Sequence, residues 1–236
     1  MKRTFQKLFL GSNAKNLKPL VSPIQKNIRN IYSIWHNHQQ DDSGIEKIIR
    51  LFLATSQLLF PGIYLKTFAS KKGIEYQDLT LDLYITLKVI FPIIVLINSW
   101  QYYPLIIIIM VYLLLETIVY IPTLIFASDS FSRPRSYKRS MILLFFNYLE
   151  IVFAYAVIYA SGNYLNQAFS HWFDAVYFSI ITSSSIGYGD LYPVTTFGRF
   201  LVSTQALLFL FFVVLFLNFF TTKIKSKGYF DDENME

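Results

Sequence analysis

FDAVYFSIITSSSIGYGDLYPVTTFGR, residues 173–199, is the stretch whose reading decides the fold. Asp174 is an N-cap candidate for a helix through Ala175, Tyr177, Phe178, Ile181 and Thr182 that ends near Ser184. Ser185-Ile186-Gly187-Tyr188-Gly189-Asp190 follows, and after Pro193 a long apolar run opens at Gly198. An apolar run also precedes the stretch, and the segment between the two is too short to cross a bilayer twice as helix. The reading is a helix that enters the membrane, stops inside it, and returns as extended chain.

Irregular backbone at that depth is tolerated only where it is buried in protein or lines a water-filled path. Gly187 and Gly189 adopt positive φ where a Cβ would object. A run that alternates such residues aims successive carbonyls in one direction. Four copies around an axis then stack oxygen rings that replace the water shell of a cation.

The composition fits a membrane setting. Of 236 residues 54% are hydrophobic and 18% aromatic, while only 15% are charged, against about a quarter in soluble domains. Cysteine is absent, which excludes disulfides and thiolate metal sites. The net charge of +6 sits beside apolar runs, as positive-inside flanks do, so no nucleic-acid partner is implied.

Five apolar runs stand out: 47–65, 83–98, 105–127, 141–160 and 198–220. Roughly twenty helical residues span the hydrocarbon core, so the last three suffice and the second needs its flanks. The first is broken by Arg50, Gln57 and Pro61-Gly62 and reads as an interfacial or re-entrant helix, with a fifth crossing as the alternative. The linker 128–140 carries Arg133, Arg135, Lys138 and Arg139 and the tail 223–236 carries Lys223, Lys225 and Lys227, whereas 99–104 has no Lys or Arg. The bias places linker, loop 66–80 and both termini in the cytoplasm of a multi-pass cell-membrane protein. In the basic segment 1–46, Ile24, Ile28, Ile31, Tyr32 and Trp35 recur at helical spacing. They suit either a helix on an anionic leaflet, with membrane lipid as partner, or one packed on the protein's own core. His36 and His38, with Asp41 and Asp42 nearby, read as a solvated loop.

Residues 173–199 resemble the pore region of two-transmembrane-type potassium channels, with Gly-Tyr-Gly-Asp preceded by Asp-Ala and an aromatic pair, and followed by Pro193 and Gly198-Arg199. The resemblance covers about 80 residues. It implies an all-α membrane protein whose pore domain, 141–222, comprises an outer helix 141–160, a pore helix 174–184, a filter 185–190 and an inner helix 198–220. An annex at 47–127 adds two or three membrane helices.

The resemblance further implies potassium coordination by backbone carbonyls of Ser185, Ile186, Gly187 and Tyr188, with Gly189 completing the run. The Ser185 hydroxyl completes the innermost site. Tyr188 braces the filter against Tyr177 and Phe178 beside Ser184, and Asp190 sits at the outer mouth. Two positions depart from the family. Serines 184 and 185 replace threonines, which keeps the hydroxyl but loosens χ1. The inner helix has no hinge glycine between Phe200 and Phe220, which points to a gate in the filter or an open pore. The cavity-lining candidates are Leu210, Val214, Leu217 and Asn218, while Gln205 is assigned to hold the pore or outer helix.

Lys88, Glu116 and Glu150 lie within apolar runs at depths that agree to roughly 6 Å at 1.5 Å per residue. Such groups usually face protein or water. A pairing of Lys88 with Glu116, Glu150 or both is expected. No span repeats Arg or Lys at every third position, so no voltage sensor is expected. No phosphate loop, metal cluster or nucleophile triad appears, so neither an enzyme, a cofactor beyond the permeating ion nor a small-molecule substrate is expected. The fourteen residues after Thr222 are too few for a nucleotide- or calcium-binding domain. The reading is a homotetrameric potassium channel subunit. The alternatives are a weakly selective cation channel and a non-conducting membrane sensor or regulatory subunit with a channel fold.

Overall fold

Apolar runs of bilayer length, and the polar or proline breaks between them, set the elements. The computed structural model describes residues 21–38, 41–126 and 137–224, with side chains throughout except at 124–126, 137 and 218–224. The basic stretch 1–20, linker residues 128–136 and the tail from 225 lie outside it. Eight α-helices are described: α1 Pro23–Trp35, α2 Gly44–Ser56, α3 Pro61–Ser70, α4 Ile74–Ile97, α5 Pro104–Phe126, α6 Tyr137–Ala160, α7 Trp172–Ser183 and α8 Thr196–Ile224. Four are long and apolar enough to cross a bilayer, within Ile74–Ile97, Pro104–Thr123, Lys138–Ala160 and Thr196–Leu217. Among the described residues there is no strand, only an isolated antiparallel bridge between Leu165 and Pro193.

The span expected at 83–98 begins nine residues earlier, at Ile74. Its first turns carry Glu75, Asp78 and Asp82, which hide the helix from a hydropathy reading. The loop expected at 66–80 is therefore only a turn, in which Gly73 takes φ 143°. Pro92 and Pro122 sit inside α4 and α5. Such breakers persist in membrane helices, where neighbours re-satisfy the freed carbonyl.

The chain forms two compact units, one comprising the residues up to Ile94 with Ile108–Pro134, the other Val95–Ile107 with Arg135 onward. In the first unit α2 and α3 are bent by 67° about a break at Phe60, where Pro61 opens α3. Helix α1 packs against both. Its N-terminus is closed by a reciprocal box between Ser22 and Gln25, and its Asn27 amide donates to Gln57 at 2.8 Å. Asp42, read from sequence as solvated, is instead buried in an ion pair with buried Arg50.

The break leaves the first N–H groups of α3 without helical partners. Glu116 of α5 supplies one acceptor: its Oε1 takes the Gly62 N–H at 3.0 Å. Its Oε2 accepts from the Tyr84 hydroxyl and from Lys88 Nζ at 3.3 Å. Lys88 also donates to Thr117 Oγ1 at 2.6 Å. A carboxylate facing a helix N-terminus is favoured by the helix dipole, and the ammonium balances its charge. Gly62 has no slack here, since a Cβ would stand 2.6 Å from Oε1. Gly62→Ala is therefore expected to destabilise the protein by about 1–3 kcal/mol, through displacement of a half-buried acceptor. Thermal unfolding of the purified protein in detergent checks this; an unchanged midpoint would mean the carboxylate relaxes freely.

In the second unit the short α7 packs between α6 and α8 and contacts both. That wedge positions the candidate site.

Candidate functional site

Helix α7 starts two residues before the expected boundary. Its N-cap is His171, whose Nδ1 accepts from the Phe173 N–H at 3.3 Å. Asp174, expected as the N-cap, stands three residues in and caps backwards, its Oδ2 accepting the N–H of Ser170 at 2.9 Å and of His171 at 2.8 Å. This is the second half of a capping box. The correction moves the helix start without changing the helix.

The rear of α7 is bonded to both neighbouring helices. Gln205 of α8 is buried and donates Nε2–H to the Ser179 carbonyl at 3.0 Å and to its Oγ at 2.7 Å. Tyr159 of α6 donates to Gln205 Oε1 at 2.9 Å. The Ser179 hydroxyl then donates to the Val152 carbonyl at 2.6 Å. Every polar atom of this chain of groups has a partner, the condition under which a buried network rigidifies a core. Tyr148 and Ser183 hydroxyls meet at 3.1 Å, and Tyr155 donates to Thr204 at 2.9 Å. Gln205, expected to hold the pore or the outer helix, contacts both, whereas Ser179 and Tyr159 were missed. A lone serine and tyrosine among apolar neighbours give no sign of which side chain they meet.

At its C-terminal end α7 closes in a six-residue loop. Ser185 N–H donates to the Thr182 carbonyl and Ile186 N–H to the Ile181 carbonyl, both at 3.1 Å. With Ser185 at φ 58°, this is a Schellman motif with serine in the place glycine usually takes. Gly187 at φ 54° and Gly189 at φ 84° continue the alternation. Three left-handed residues separated by single residues are the pattern that turns successive carbonyls to a common side. Sequence alone gave the glycines but not Ser185. The stretch from Ser185 to Asp190 is exposed on the single chain. Ser184 turns its hydroxyl back to the Ile180 carbonyl at 2.8 Å, completing the helix end.

The outer end of the run is clamped. Tyr177 donates to Asp190 Oδ2 at 2.9 Å. That bond to a carboxylate is the main reason the phenol, which lies outside the four spans, titrates above its ordinary value. Asn166 donates Nδ2–H to the Asp190 carbonyl at 3.1 Å, accepts the Tyr192 N–H on Oδ1 at 3.0 Å, and gives its own N–H to the Tyr192 carbonyl at 3.0 Å. Val194 N–H reaches the Tyr164 carbonyl at 3.0 Å. The loop after α6 thereby grips the chain that leaves the run. Gly198 permits that approach, because a Cβ there would meet the Tyr164 carbonyl oxygen at 2.9 Å. Asn166 was not legible from sequence.

The remaining predicted residues fall in several places. The Phe178 ring sits edge-on against Tyr159 at 4.8 Å, so it buttresses α7 from behind. Tyr188, expected to rest on it, is 71% exposed on the single chain. Leu210, Val214 and Leu217 lie exposed along α8; the side chain of Asn218 is outside the described residues. Lys88 and Glu116 meet in the first unit, and Glu150 is buried on α6 in the second. Among the described residues no group of three metal-ligating side chains occurs.

A family model described as "Ion channel" matches residues 141–226. The human potassium voltage-gated channel subfamily KQT member 4 is 35% identical over 78 residues, 33% of this chain and 11% of its own. The mouse potassium voltage-gated channel subfamily A member 6 is 31% identical over 67 residues, 28% of this chain and 13% of its own. The chain thus spans only about an eighth or less of the length of these relatives. No solved structure matches it. Outer helix, re-entrant helix, glycine-bearing run and inner helix all fall inside the segment that matches the ion-channel model, and it is this segment that is similar to potassium channels.

Proposed function

We propose that the chain is one subunit of a homotetrameric, potassium-selective channel that conducts passively, without a voltage sensor. The observation that carries this is the alternation of left-handed backbone at Ser185, Gly187 and Gly189 directly after a helix that stops between two spans. Carbonyls of Ser185, Ile186, Gly187 and Tyr188, with Gly189 closing the run, would give each subunit a quarter of the oxygen rings that replace the hydration shell of K+. Asp190 at the outer mouth raises the local cation concentration. Exposed Tyr188 and the exposed line Leu207, Leu210, Val214 and Leu217 on α8 suit contact with neighbouring copies and with the pore axis.

The lack of a regular Lys or Arg repeat in the spans favours control by something other than voltage. The glycine-free stretch of α8 from Phe200 to Phe220, bonded to α7 through Gln205, favours a gate within the filter. The positive-inside bias favours a cell-membrane protein with cytoplasmic termini, and the bent pair α2–α3 then lies re-entrant or interfacial.

Purified protein in liposomes with an outward potassium gradient is expected to release K+. Gly187→Ala should abolish the flux, because a Cβ at φ 54° strains the filter. Absence of flux from correctly folded wild-type tetramer would leave the non-conducting reading instead. In mixed potassium and sodium the reversal potential should lie near that of potassium. Ser185→Thr should move it no further than the limit set by potassium alone, and a wild-type value midway between the two ions would establish the weakly selective channel.

Gln205→Leu removes three hydrogen bonds and leaves Tyr159 and Ser179 short of partners. The expected cost is about 2–4 kcal/mol, read as a lower unfolding midpoint. Single-channel records should also show more frequent closures with unchanged ion preference. Asn166→Ala should leave the unfolding midpoint nearly unchanged but hasten the decay of current at low external potassium, because it frees Asp190 and Tyr192 without opening the core. Equal decay in both proteins would show that the clamp does not hold the outer mouth.

A further inference from the structure

Helix α1 carries more apolar surface than the protein covers. At about 100° per residue, Ile34, Ile31, Ile24, Trp35, Ile28 and Tyr32 fill an arc of roughly 160°. One edge of it turns inward: Ile34 and Asn27 are buried, and Ile24 and Ile31 half-buried. The other edge turns outward, with Ile28 52%, Tyr32 58% and Trp35 64% exposed. The two sequence alternatives for this segment, core packing and a leaflet surface, are therefore divided between the two edges of one helix.

The outward edge is held in place rather than loose. Asn27 is bonded to Gln57, and Lys47 of α2 donates to the Trp35 carbonyl at 2.9 Å with its ammonium 6.0 Å from the Trp35 ring centre. The capping box at Ser22 fixes the opposite end. A partner meeting this edge meets two amphipathic aromatic rings and an isoleucine presented in fixed register. Trp and Tyr of this kind concentrate where apolar chains meet headgroups.

Charge selects the partner. Residues 1–40 contain seven Lys and Arg and no Asp or Glu. Of these, Arg29 and Lys26 stand exposed on α1 itself. Juxtamembrane segments of this composition are drawn to anionic leaflets, and an amphipathic helix lying in the interface plane buries such an edge to a shallow depth. The next elements, α2 and α3, form the bent apolar pair, so the chain continues from this helix directly into membrane-grade sequence. We propose that the outward edge of α1, Ile28, Tyr32 and Trp35, docks into the headgroup layer of an anionic leaflet, with Arg29 and Lys26 on the lipid phosphates. The inference does not rest on conduction and holds or fails separately from it.

The absence of cysteine makes a site-directed test direct. Full-length Ile28→Cys, Tyr32→Cys and Ser33→Cys variants, each carrying a nitroxide label, are placed in nanodiscs of phosphatidylcholine alone or mixed with phosphatidylglycerol. Collision rates with oxygen, which partitions into lipid, and with an aqueous nickel chelate then report the depth of each label. Labels at 28 and 32 are expected to favour oxygen in the anionic discs and to shift toward nickel in the zwitterionic ones, while the label at 33 favours nickel in both. Adding Lys26→Gln and Arg29→Gln to the labelled Ile28→Cys variant should move its anionic-disc value to the zwitterionic one. Nickel-accessible labels at 28 and 32 in anionic discs would overturn the proposal. So would immobile labels reached by neither probe, the signature of a covering protein segment or second copy, and so would equal values in the two lipids.

Discussion

The buried amide of Gln205 is the contact on which the rest of the pore module depends. A helix that ends inside a bilayer has no lipid to satisfy its last carbonyls and no length to anchor itself. Helix α7 meets the first difficulty internally, through the Ser185 and Ile186 N–H groups that return to Thr182 and Ile181. It meets the second through its rear face, where Gln205, itself held by Tyr159, binds Ser179 from one side and the Val152 carbonyl receives the Ser179 hydroxyl from the other. An apolar residue at 205 would pack α8 against α7 but would not fix their register. The amide fixes it, because its donor and acceptor ends have different partners on different helices.

The first unit answers the same constraint with different chemistry. There the interrupted helix begins rather than ends, so the orphan groups are N–H donors, and the neighbouring helix offers a carboxylate instead of an amide. Glu116 takes the Gly62 N–H, and Lys88 and Tyr84 supply the positive charge and the second hydrogen bond that make a half-buried carboxylate tolerable. Loss of the Glu116 carboxylate would remove the Lys88 ion pair and the acceptor of the Gly62 N–H together, which ties the Pro61-Gly62 break to the Lys88–Glu116 pair.

What was legible in the sequence follows from range. Apolar runs gave the spans because hydropathy is a local property, and Gly187 and Gly189 gave the left-handed positions because only their residue type was needed. The early start of α4 was hidden because Glu75, Asp78 and Asp82 depress hydropathy without breaking a helix. Depth counting placed Lys88, Glu116 and Glu150 at one level, since rise per residue is fixed. It carried no azimuth, so Tyr84, Thr117 and the Gly62 N–H could not be read. Asn166 and Ser179 were illegible for the same reason: their partners, Asp190, Tyr192, Val152 and Gln205, are set by tertiary approach over 24 residues or more.

Ser185 is both the first residue of the run and the left-handed residue that ends α7. As the left-handed terminator of α7 it bends the chain out of the helix; in the proposed channel the same residue would present its hydroxyl to the path. A left-handed conformation at an L-residue costs roughly 1–2 kcal/mol, and the two hydrogen bonds of the Schellman motif offset it. The backbone at this position is thus held by the end of α7, and α7 is held by Gln205. Any motion of α8 that pulls on Gln205 therefore acts on the terminator before it reaches Gly187. In the proposed channel, whose inner helix has no glycine to bend between Phe200 and Phe220, that route would lead from the inner helix to the filter through one amide, one serine carbonyl and one turn of backbone.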